Sequence, residues 1–589
     1  MSEVDVIKDP AEVARFLETI GSAPFIALDT ETSGLDPHND NLLLIQFGTA
    51  TEQALVAANA VEAHHLAPIF RPDRIVVMHN ATFDLKMLWN YYGDALGLQH
   101  ARIADTQSTE KLLRNGRKSD VVMQGFALKT LAERYAGMEL DKSIRQGFYG
   151  LSSVDELSEA ELYYAARDVE ATWKVFAEQL PQIERDKLVR VAALEGAASI
   201  GFAQMELRGI AIDTEAWSKQ LDGARTGSAA ARKELDREFW EVADRDLFGG
   251  TTLNYDSDEE VLSALEKLGV KLTTTRREVL VATGHPAAMK LAEYREQQKT
   301  VSTYGDTFLA HVHSKTGRLH PRFRSVGAST GRASCAEPNL QNIPSGSEFR
   351  ACFAAPEGRK IITADYSGAE LRIIAELSKD PVFRDTFLRG EDLHATVASR
   401  LFRKPVSKTE NPDLRARAKA INFGLAYGMG AAGLARQLDV NVQEGERLLE
   451  AYFRSFPKIR GYLESSARDA IRRGYAETMS GRRFWLLDMR RDGREEHTVV
   501  RVAKNMPVQG TNADIIKLAM ARVVPAFKEA GVDAFLVNMV HDELVVEAAE
   551  GDAEAARDIL VREMKSAGAE FVKRVPMEID ATISEAWSK

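Results

Sequence analysis

Cysteine is scarce in this chain, and long apolar runs are missing altogether. The 589 residues include only Cys335 and Cys352, and neither has a metal-binding neighbour at close spacing. A disulfide scaffold is therefore excluded, and such sparing use of cysteine is typical of a reducing compartment. No stretch of about 18 apolar residues and no signal-peptide pattern occurs in the sequence. These absences predict a soluble cytoplasmic protein, in a bacterium or in a host cell if the source is viral, with no membrane partner.

Net positive charge is also lacking, because 87 acidic residues outweigh 76 basic residues and give a formal charge of −11. A basic footprint is the usual sign of a nucleic-acid-binding protein, but the local distribution of charge matters more than its sum. Residues 315–332 contain five basic residues and no acidic one, and residues 400–419 contain seven basic residues against two acidic ones. Both segments lie beside the motifs described below, and this position favours contact with phosphates.

The chain is too long for one hydrophobic core, so at least two domains are expected. The first part alternates apolar runs of strand length with helical patterns, which is typical of an α/β domain. A long helical pattern at 186–205 marks the predicted domain boundary. The predicted strands lie at 25–30, 42–48, 75–79, 360–365, 534–540 and 543–548. The predicted helices include 81–92, 155–180, most of 214–300, with loops near 249–250 and 273–275, and most of 386–480.

Carboxylates recur in a pattern in the N-terminal part. Asp29 and Glu31 lie two apart on a predicted strand, and side chains with this spacing point to one face. Asp84 follows another strand, whereas Tyr164 and Asp168 share one face of a helix because they are four residues apart. Four carboxylates without basic partners repel one another unless cations lie between them, and oxygen ligands favour Mg²⁺ or Mn²⁺. The pattern predicts a site where two metal ions cleave a phosphodiester.

The C-terminal part carries two acidic motifs and a helix of mixed chemistry. Asp365 ends a strand that runs into a helix, and His541-Asp542-Glu543 forms the turn between two apolar strands. A turn without Gly or Asn indicates a functional role rather than turn propensity. Between these motifs, a spacing of four places two cationic and then two aromatic residues on one helical face: Arg415, Lys419, Phe423 and Tyr427. The cations suit a triphosphate, and the rings suit a base or a sugar.

Taken in order, the N-terminal motifs resemble those of the DEDDy 3′→5′ exonucleases over residues 1–185. Asp105 matches none of these motifs and is interpreted as structural or as a helix cap. Residues from about 195 to 589 resemble the polymerase (Klenow) portion of bacterial polymerase I, a member of DNA polymerase family A. The motifs that carry this resemblance are Thr330-Gly331-Arg332, Asn339 to Pro344, Asp365 to Arg372, Arg415 to Gly428, Pro507 to Asp514 and Val540 to Glu543.

The resemblance implies an α/β multidomain protein, in which an RNase H-like 3′→5′ exonuclease domain precedes a right-hand polymerase domain. The implied exonuclease domain covers 1–185, and the implied polymerase domain covers 186–589. Within the hand, the implied thumb is 213–305, the palm is 306–385 with 485–589, and the fingers are 386–484. We expect a monomer without a 5′ nuclease domain and without a large thumb insertion for a processivity partner.

The resemblance also implies roles for individual residues. In the polymerase site, two Mg²⁺ ions, for which Mn²⁺ can substitute, would be held by Asp365, Asp542 and the backbone carbonyl of Tyr366, with Glu543 in support. Two further ions in the exonuclease site would be held by Asp29, Glu31, Asp84 and Asp168, while Tyr164 orients the attacking water. The residues implied to bind the deoxynucleoside triphosphate are Arg415, Lys419, His394, Phe423, Tyr427, Glu370 and Tyr366, and Lys419 would also protonate the leaving pyrophosphate. The residues implied to contact primer-template DNA are Arg332, Asn339, Gln341, Arg501, Gln509 and His541.

The implied activity is template-directed DNA synthesis with 3′→5′ proofreading, and two other activities compete with it. A single-subunit RNA polymerase shares the palm carboxylates, but Glu370 and Tyr427 match positions that close the DNA enzymes to a ribose 2′-hydroxyl. A 3′→5′ exonuclease with a polymerase-like DNA-binding domain would be expected to have lost the polymerase carboxylates, and none is lost. One departure from the family pattern is Gly368-Ala369, which leaves a smaller surface beside the incoming sugar.

Overall fold

The computed structural model describes residues 5–117, 125–245, 251–344, 346, 348–426, 428–491 and 496–587. The chain divides into two compact units. The first unit comprises Met1–Gly209, Pro321–Asn342 and Glu357–Glu585, and the second comprises Ile210–His320, Ile343–Pro356 and Ala586–Lys589. Among the helices within the described ranges, none is long and apolar enough to cross a membrane. The limits of the exonuclease, thumb, palm and fingers given above remain predictions.

A six-stranded sheet organises the N-terminal part of the first unit. Its strands are β1 (Val6–Ile7), β2 (Phe25–Thr32), β3 (Leu42–Gly48), β4 (Gln53–Ala57), β5 (Ile75–Met78) and β6 (Arg102–Asp105). They lie in the order β1-β4-β3-β2-β5-β6, with β2 antiparallel to β3 and parallel to β5. Every residue of β3 is buried, as expected for a strand covered on both faces. The strands predicted at 25–30, 42–48 and 75–79 are confirmed.

Within the described residues, the α-helices that accompany this sheet are α1 (Pro10–Thr19), α2 (Ala63–Leu66), α3 (Ala81–Tyr92), α4 (Thr106–Arg114), α5 (Leu128–Ala136) and α6 (Glu159–Arg185). The Asp105 carboxylate accepts hydrogen bonds from the N–H groups of Gln107 and Ser108, so its interpretation as a helix cap is confirmed. At the start of α6, Ser158 and Glu161 form a reciprocal capping box, which fixes where this 27-residue helix begins.

The next helix, α7 (Val189–Arg208), is buried on nearly every side. Its sequence explains this placement, because a helix that is largely apolar all round is stable only when it is enclosed. Gly196 packs so tightly against the backbone carbonyl of Ile103, on β6, that a larger side chain would collide with it. Lys86 of α3 forms an ion pair with Glu206 of α7 at 3.1 Å. The helix therefore lies in the core of the first unit.

The second unit is mostly helical. Its elements are α8 (Thr214–Glu238), α9 (Asp258–Lys267), α10 (Arg277–Ala282), α11 (Pro286–Tyr304), α12 (Asp306–Leu309), α13 (Glu348–Ala351) and the paired strands β7 (Ile210–Ala211) and β8 (Arg318–Leu319). Helices α8 and α11 pack together, and Trp217 stacks on Phe308 with ring centroids 4.3 Å apart. The predicted helical character of 214–300 and its loop near 273–275 are confirmed, whereas the predicted loop at 249–250 lies outside the described residues.

A short ribbon and a four-stranded sheet belong to the C-terminal part of the first unit. The ribbon pairs β9 (Arg322–Arg324) with β10 (Ser334–Ala336). The sheet has the antiparallel order β14-β15-β11-β16, and its strands are β11 (Arg359–Tyr366), β14 (Ala534–Val540), β15 (Glu543–Ala549) and β16 (Ile579–Ser584). A second small pair is β12 (Tyr475–Glu477) with β13 (Arg483–Trp485). The three strands predicted in this part are confirmed.

The helices of this part are α14 (Ala369–Ser378), α15 (Pro381–Leu388), α16 (Leu393–Phe402), α17 (Pro412–Ala426), α18 (Ala431–Leu438), α19 (Val442–Ser455), α20 (Pro457–Arg473), α21 (Leu487–Arg491), α22 (Glu496–Glu529) and α23 (Ala553–Phe571). A buried ion network ties α22 to α7. Glu195 of α7 pairs with Lys517 at 2.6 Å and with Arg482, and Arg482 in turn pairs with Asp514 at 2.7 Å. All four side chains are buried, so each charge depends on its partners.

Candidate active sites

Three carboxylates converge at the end of β2. Asp29 and Glu31 lie on this strand, and Asp168 reaches them from α6. One oxygen from each of the three lies within 4.8 Å of the others. Gln46, on neighbouring β3, donates to Asp29 at 3.2 Å and to Glu31 at 3.4 Å. A set of oxygen ligands with this spacing fits a divalent cation such as Mg²⁺ or Mn²⁺.

Asp84, the fourth predicted carboxylate, lies beside this trio in the first turn of α3. Its Oδ1 accepts hydrogen bonds from the N–H of Thr30 at 3.1 Å and from the Thr30 hydroxyl at 2.7 Å. Because Thr30 stands between Asp29 and Glu31, these bonds tie Asp84 to the same stretch of β2. Asn80 precedes α3 with a φ of 65°, a left-handed conformation that Asn tolerates better than most residues. The sequence pattern thus brings all four predicted carboxylates to one place.

Burial makes these carboxyl groups difficult to ionise. It raises the pKa of Asp29 to about 7, with the charge of Asp168 adding to the shift. Burial followed by the charge of Asp29 raises the pKa of both Glu31 and Asp84 well above their usual values. Buried like charges favour protonation unless a cation neutralises them. A divalent cation would therefore stabilise the cluster at neutral pH.

Lys142 was not predicted, and it corrects the expectation that these carboxylates have no basic partner. Its ammonium group donates to Asp168 Oδ2 and to the Tyr164 hydroxyl, in each case at 2.7 Å. Burial and the charge of Asp168 raise the pKa of Tyr164, so this hydroxyl stays protonated. Lys142 lies in a turn between α5 and α6, where no periodicity marks it in the sequence.

A cavity of ≈ 810 Å³ opens onto these groups. This volume is in the range of small-ligand sites. Its wall includes the four carboxylates, Tyr164 and Lys142, and also Arg322 and Glu337 from the β9–β10 ribbon and the residue after it. The cavity is therefore lined by residues from both the N-terminal and the C-terminal parts of the first unit.

The second group of acidic residues lies at the end of the four-stranded sheet. Asp365 and Glu543 are register partners on β11 and β15, and Asp542 lies in the turn between β14 and β15. The N–H of Tyr366 donates to the carbonyl of Asp542 at 3.3 Å. His541 has a φ of 56°, which permits this two-residue turn without glycine. Such a conformation is unusual for a non-glycine residue and supports a functional interpretation of the turn.

Asp580 is an acidic residue of this site that the sequence did not reveal. It is the register partner of Asp365 on β16, opposite the strand that carries Glu543. Paired residues on adjacent strands share a face, so the three acids form a row across the sheet. Burial raises the pKa of Asp542 above its usual value. The side chain of Tyr366 is buried and donates to the carbonyl of Met564 at 2.6 Å, which leaves only its backbone to act in the predicted site.

Glu370 and Arg332 were predicted separately, one beside the sugar and the other beside DNA, but the structure joins them. Their ion pair measures 2.7 Å, and the Glu370 side chain is buried in the first turn of α14. Gly368 precedes this helix with a φ of 65°, which is strained for residues other than glycine. The backbone conformation therefore favours glycine at this position, whatever effect the small residue has on the sugar.

Helix α17 carries the predicted triphosphate-binding cations. Arg415 donates to Asp392 at 2.7 Å. Burial alone would raise the pKa of Asp392, but the hydrogen bonds from Arg415 and from the N–H of Ala395 outweigh it and lower this pKa. Lys419 lies one turn further along the same helix. Tyr427, which was predicted to share this face, lies outside the described residues.

His394 and Phe423 lie next to each other, as predicted for one binding pocket. Their ring centroids are 5.7 Å apart, and Asn422 contacts His394 Nδ1 at 3.0 Å. Burial lowers the pKa of His394 to about 4. At neutral pH this imidazole is therefore uncharged and can donate a hydrogen bond, but it does not contribute a positive charge.

The predicted DNA contacts occupy two places. Gln341 donates to the carbonyl of Met539 at 3.2 Å, its own N–H is bound by the side chain of Asn339 at 3.0 Å, and it borders a small cavity together with Arg332 and His541. The other two predicted contacts are both on α22: Arg501, which is exposed, and Gln509, which is partly buried.

Comparison with known proteins identifies the family. The model of DNA polymerase family A matches residues 220–589, and the model described as a 3′-5′ exonuclease matches residues 4–184. The chain belongs to DNA polymerase family A. The predicted fold class, an exonuclease domain followed by a family A polymerase domain in a mixed α/β protein, is confirmed.

Relatives and a solved structure agree with this family. The chain is 30% identical to DNA polymerase I of Aquifex aeolicus in an alignment that covers 97% of each chain. It is 35% identical to thermostable DNA polymerase I of Thermus filiformis over 434 residues, 70% of this chain and 50% of that relative. The polymerase domain of Pol1 from M. smegmatis, solved with DNA primer-template and dNTP, superimposes with a TM-score of 0.82 at 27% identity and 99% coverage of both chains. The chain thus spans about half the length of the Thermus relative and nearly all of the Aquifex one.

Proposed function

We propose that the chain is a DNA-dependent DNA polymerase that extends a primer from deoxynucleoside triphosphates and removes mismatched 3′ ends by 3′→5′ hydrolysis. The observation that carries the polymerase activity is the meeting of Asp365 with Glu543 across the sheet, beside Asp542 in the adjoining turn. The observation that carries the exonuclease activity is the convergence of Asp29, Glu31 and Asp168. Both families typically depend on divalent metal ions, and the donor sets here are all oxygen.

In the polymerase site, Asp365, Asp542 and the carbonyl of Tyr366 are the proposed ligands of two Mg²⁺ ions, with Glu543 in support. Bound there, divalent cations neutralise the triphosphate and align the primer 3′-hydroxyl with the α-phosphate. Arg415 and Lys419 present positive charge to the triphosphate from one side of α17. Lys419 also holds the proton that the leaving pyrophosphate needs, since an ammonium group near phosphates is a suitable acid.

The pocket for the incoming nucleotide is proposed to be shaped by Phe423, His394 and Tyr427 on one side and by Glu370 on the other. Glu370 would exclude a 2′-hydroxyl, and its ion pair with Arg332 holds it in one position. This proposal favours deoxynucleotides over the ribonucleotides of an RNA polymerase. Arg332, Asn339, Gln341, Arg501, Gln509 and His541 are the proposed contacts to primer and template.

In the exonuclease site, Asp29, Glu31, Asp84 and Asp168 are the proposed ligands of two further ions. The Tyr164 hydroxyl would hold the attacking water by a hydrogen bond, and Lys142 would fix the position of that hydroxyl. The bond from Lys142 to Asp168 exists before any cation arrives, so cation binding would replace part of this contact.

The proposed partners are primer-template DNA and deoxynucleoside triphosphates, and the M. smegmatis structure with both of these supports the proposal. We propose an exonuclease domain at 1–185 and a polymerase domain at 186–589, with the thumb, palm and fingers as predicted, in a monomeric cytoplasmic protein.

A primer-extension assay tests the proposed function directly. Purified protein is given a labelled primer-template with deoxy- or ribonucleotides, with Mg²⁺ or with a chelator. We expect extension with deoxynucleotides and Mg²⁺ only, and shortening of a mismatched primer when nucleotides are withheld. Extension that prefers ribonucleotides, or that continues with the chelator, would overturn the proposal.

A further inference from the structure

The β9–β10 ribbon carries a basic face that no role above explains. Strand β9 has only three residues, and of these Arg322 and Arg324 are exposed while Phe323 is buried. Ser334 on β10 is the register partner of Arg324, and Arg332 lies two residues before it. Side chains alternate between the faces of a strand, and register partners share a face. The pattern therefore sets Arg322 and Arg324 along one face of the ribbon, and Arg332 lies in the segment that leads into β10.

The opposite face of the ribbon is anchored. The N–H of Phe323 donates to the carboxylate of Glu206 at 2.7 Å, and the Phe323 ring lies 5.6 Å from that of Phe202. Both partners are on α7, which is itself buried. The ribbon is thus held on a rigid support, so the side on which its arginines project is fixed.

The arginines of the ribbon and of the segment before β10 reach both active sites. Arg322 lines the exonuclease cavity and pairs with Glu337 at 3.0 Å, although both side chains remain more than half exposed. Arg332 pairs with Glu370 in the polymerase site. Two residues of a strand span about 6.6 Å. This interval is close to the separation of successive phosphates in an extended single strand.

A further cation faces the middle of the ribbon from the exonuclease part. Lys111 of α4 donates to Gln107 Oε1 at 2.9 Å, and Gln107 lines the exonuclease cavity. Burial lowers the pKa of Lys111, the charges of Asp105 and Glu195 oppose this shift, and the charge of Arg324 adds to it, so Lys111 and Arg324 are close enough to interact. A phosphate bound by both cations would reduce their mutual repulsion.

We propose that Arg322, Arg324 and Lys111 bind the phosphates of the single strand whose 3′ end occupies the exonuclease cavity. The proposal rests on the exonuclease function proposed above and adds to it a binding surface supplied mainly by the polymerase part of the chain. A row of cations beside a nucleolytic cavity fits an anionic polymer, since charged grooves bind single strands through the backbone and without sequence preference. Phosphate would take the place of Glu337 on Arg322, which is easily exchanged because the pair is exposed.

The test compares two substrates of the purified full-length chain with Mg²⁺. A dinucleotide has a single phosphodiester, which must lie at the carboxylates to be cut, so none remains for the ribbon. A 12-nucleotide single strand has phosphates for both the carboxylates and the ribbon. We expect Arg322→Ala with Arg324→Ala to raise KM for the 12-mer about tenfold at 0.1 M salt and to leave kcat nearly unchanged. The slope of log(1/KM) against log salt should become shallower by about 1.4, or 0.7 for each lost contact. For the dinucleotide, kcat/KM should stay within threefold of wild type.

Two further variants control for charge. Arg557→Ala with Arg562→Ala removes two charges from partly exposed ion pairs on α23 and should leave the KM for the 12-mer unchanged. Glu337→Gln releases Arg322 and should lower that KM. If wild type cuts both substrates and the Arg322/Arg324 variant keeps the wild-type KM and salt slope, the ribbon is only a solvated face and the inference is wrong. If wild type cuts neither substrate, the exonuclease function itself is wrong.

Discussion

The exonuclease cluster and the polymerase site of this chain both combine carboxylates with cations, but they arrange them in opposite ways. In the exonuclease cluster, Asp29, Glu31 and Asp168 crowd together in a buried place and resist ionisation. In the polymerase site, the acids form a row at a sheet end, and the arginines nearby are each held by a carboxylate. These pairs are Arg332 with Glu370 and Arg415 with Asp392.

This contrast shows two ways to prepare for a charged ligand. The carboxylates of the exonuclease cluster repel one another, and a divalent cation would relieve this repulsion. The ligand of this cluster is therefore the metal ion. The Arg415–Asp392 pair is partly exposed, so a triphosphate can take over this arginine from its carboxylate at a modest net cost. The predictions that follow separate the two arrangements.

The largest expected effect divides the two activities. Asp365→Ala or Asp542→Ala should lower single-turnover nucleotide incorporation by about 10³-fold or more, because a lost metal ligand in a two-ion mechanism has no substitute. Excision of a single strand by the same protein should stay near the wild-type rate. Asp558→Ala, at an exposed position of α23, is the matched control. Incorporation within tenfold of wild type in either palm variant would refute the assignment.

Substitutions in the exonuclease cluster should have the opposite effect on the two activities, with loss of excision and retention of extension. Asp29→Ala together with Glu31→Ala should abolish removal of a mismatched 3′ terminus and leave extension of a matched primer within about twofold. The reason is that these carboxylates lie on β2, on a different sheet from Asp365. Gel assays on matched and mismatched primers measure both activities in one preparation. Persistent degradation of single-stranded DNA from its 3′ end would show that the carboxylates are misassigned.

A smaller effect tests whether Asp392 competes with the triphosphate for Arg415. Asp392→Asn should free Arg415 for the triphosphate while keeping the cap that residue 392 provides to α16. Because this ion pair is partly open to solvent and such pairs contribute about 0–1 kcal/mol, KM for deoxynucleotides should fall by about twofold to fivefold with kcat unchanged. Steady-state incorporation at varied nucleotide concentration measures this. An increase in KM would mean that Asp392 positions Arg415 rather than competing for it.

The smallest effect concerns the stability of the metal-free protein. Since the pKa of Asp29 is raised from 3.8 to about 7 on folding, this group favours the fold at low pH, and that contribution is lost as the pH rises through about 7. Asp29→Asn should therefore raise the unfolding temperature with a chelator at pH 8, by on the order of 2 °C, and the gain should shrink toward pH 4. Mg²⁺ should stabilise wild type more than the variant. A gain that is the same at pH 4 and pH 8 would contradict this origin.

Local patterns predicted most of the acidic residues of both sites. The strand spacing of Asp29 and Glu31, the helical spacing of Tyr164 and Asp168, and the capping role of Asp105 all depend on neighbours within a few residues. Such relations are fixed by backbone geometry, so the sequence alone reveals them.

The features that the sequence did not reveal depend on long-range pairing. Asp580 joins the acidic row only because β16 pairs with β11, and nothing in the strand itself specifies that partner. Lys142 reaches Asp168 from an irregular segment, and Arg322 lines a cavity in which every other lining residue except Glu337 belongs to the N-terminal part of the chain. Register and tertiary packing decide these contacts, and neither has a local signature.

The enclosed helix α7 has a consequence for how the molecule opens. One side of it meets the exonuclease sheet at Gly196, and another side supplies Glu195 to the buried charges of α22. Separating α7 from the exonuclease sheet would expose its apolar surface to water. Separating it from α22 would leave a buried charge without its partner, at a cost of about 3–5 kcal/mol. Local unfolding should therefore occur in the loops rather than in this helix. We expect α7 to be among the last segments to exchange its amide hydrogens with solvent.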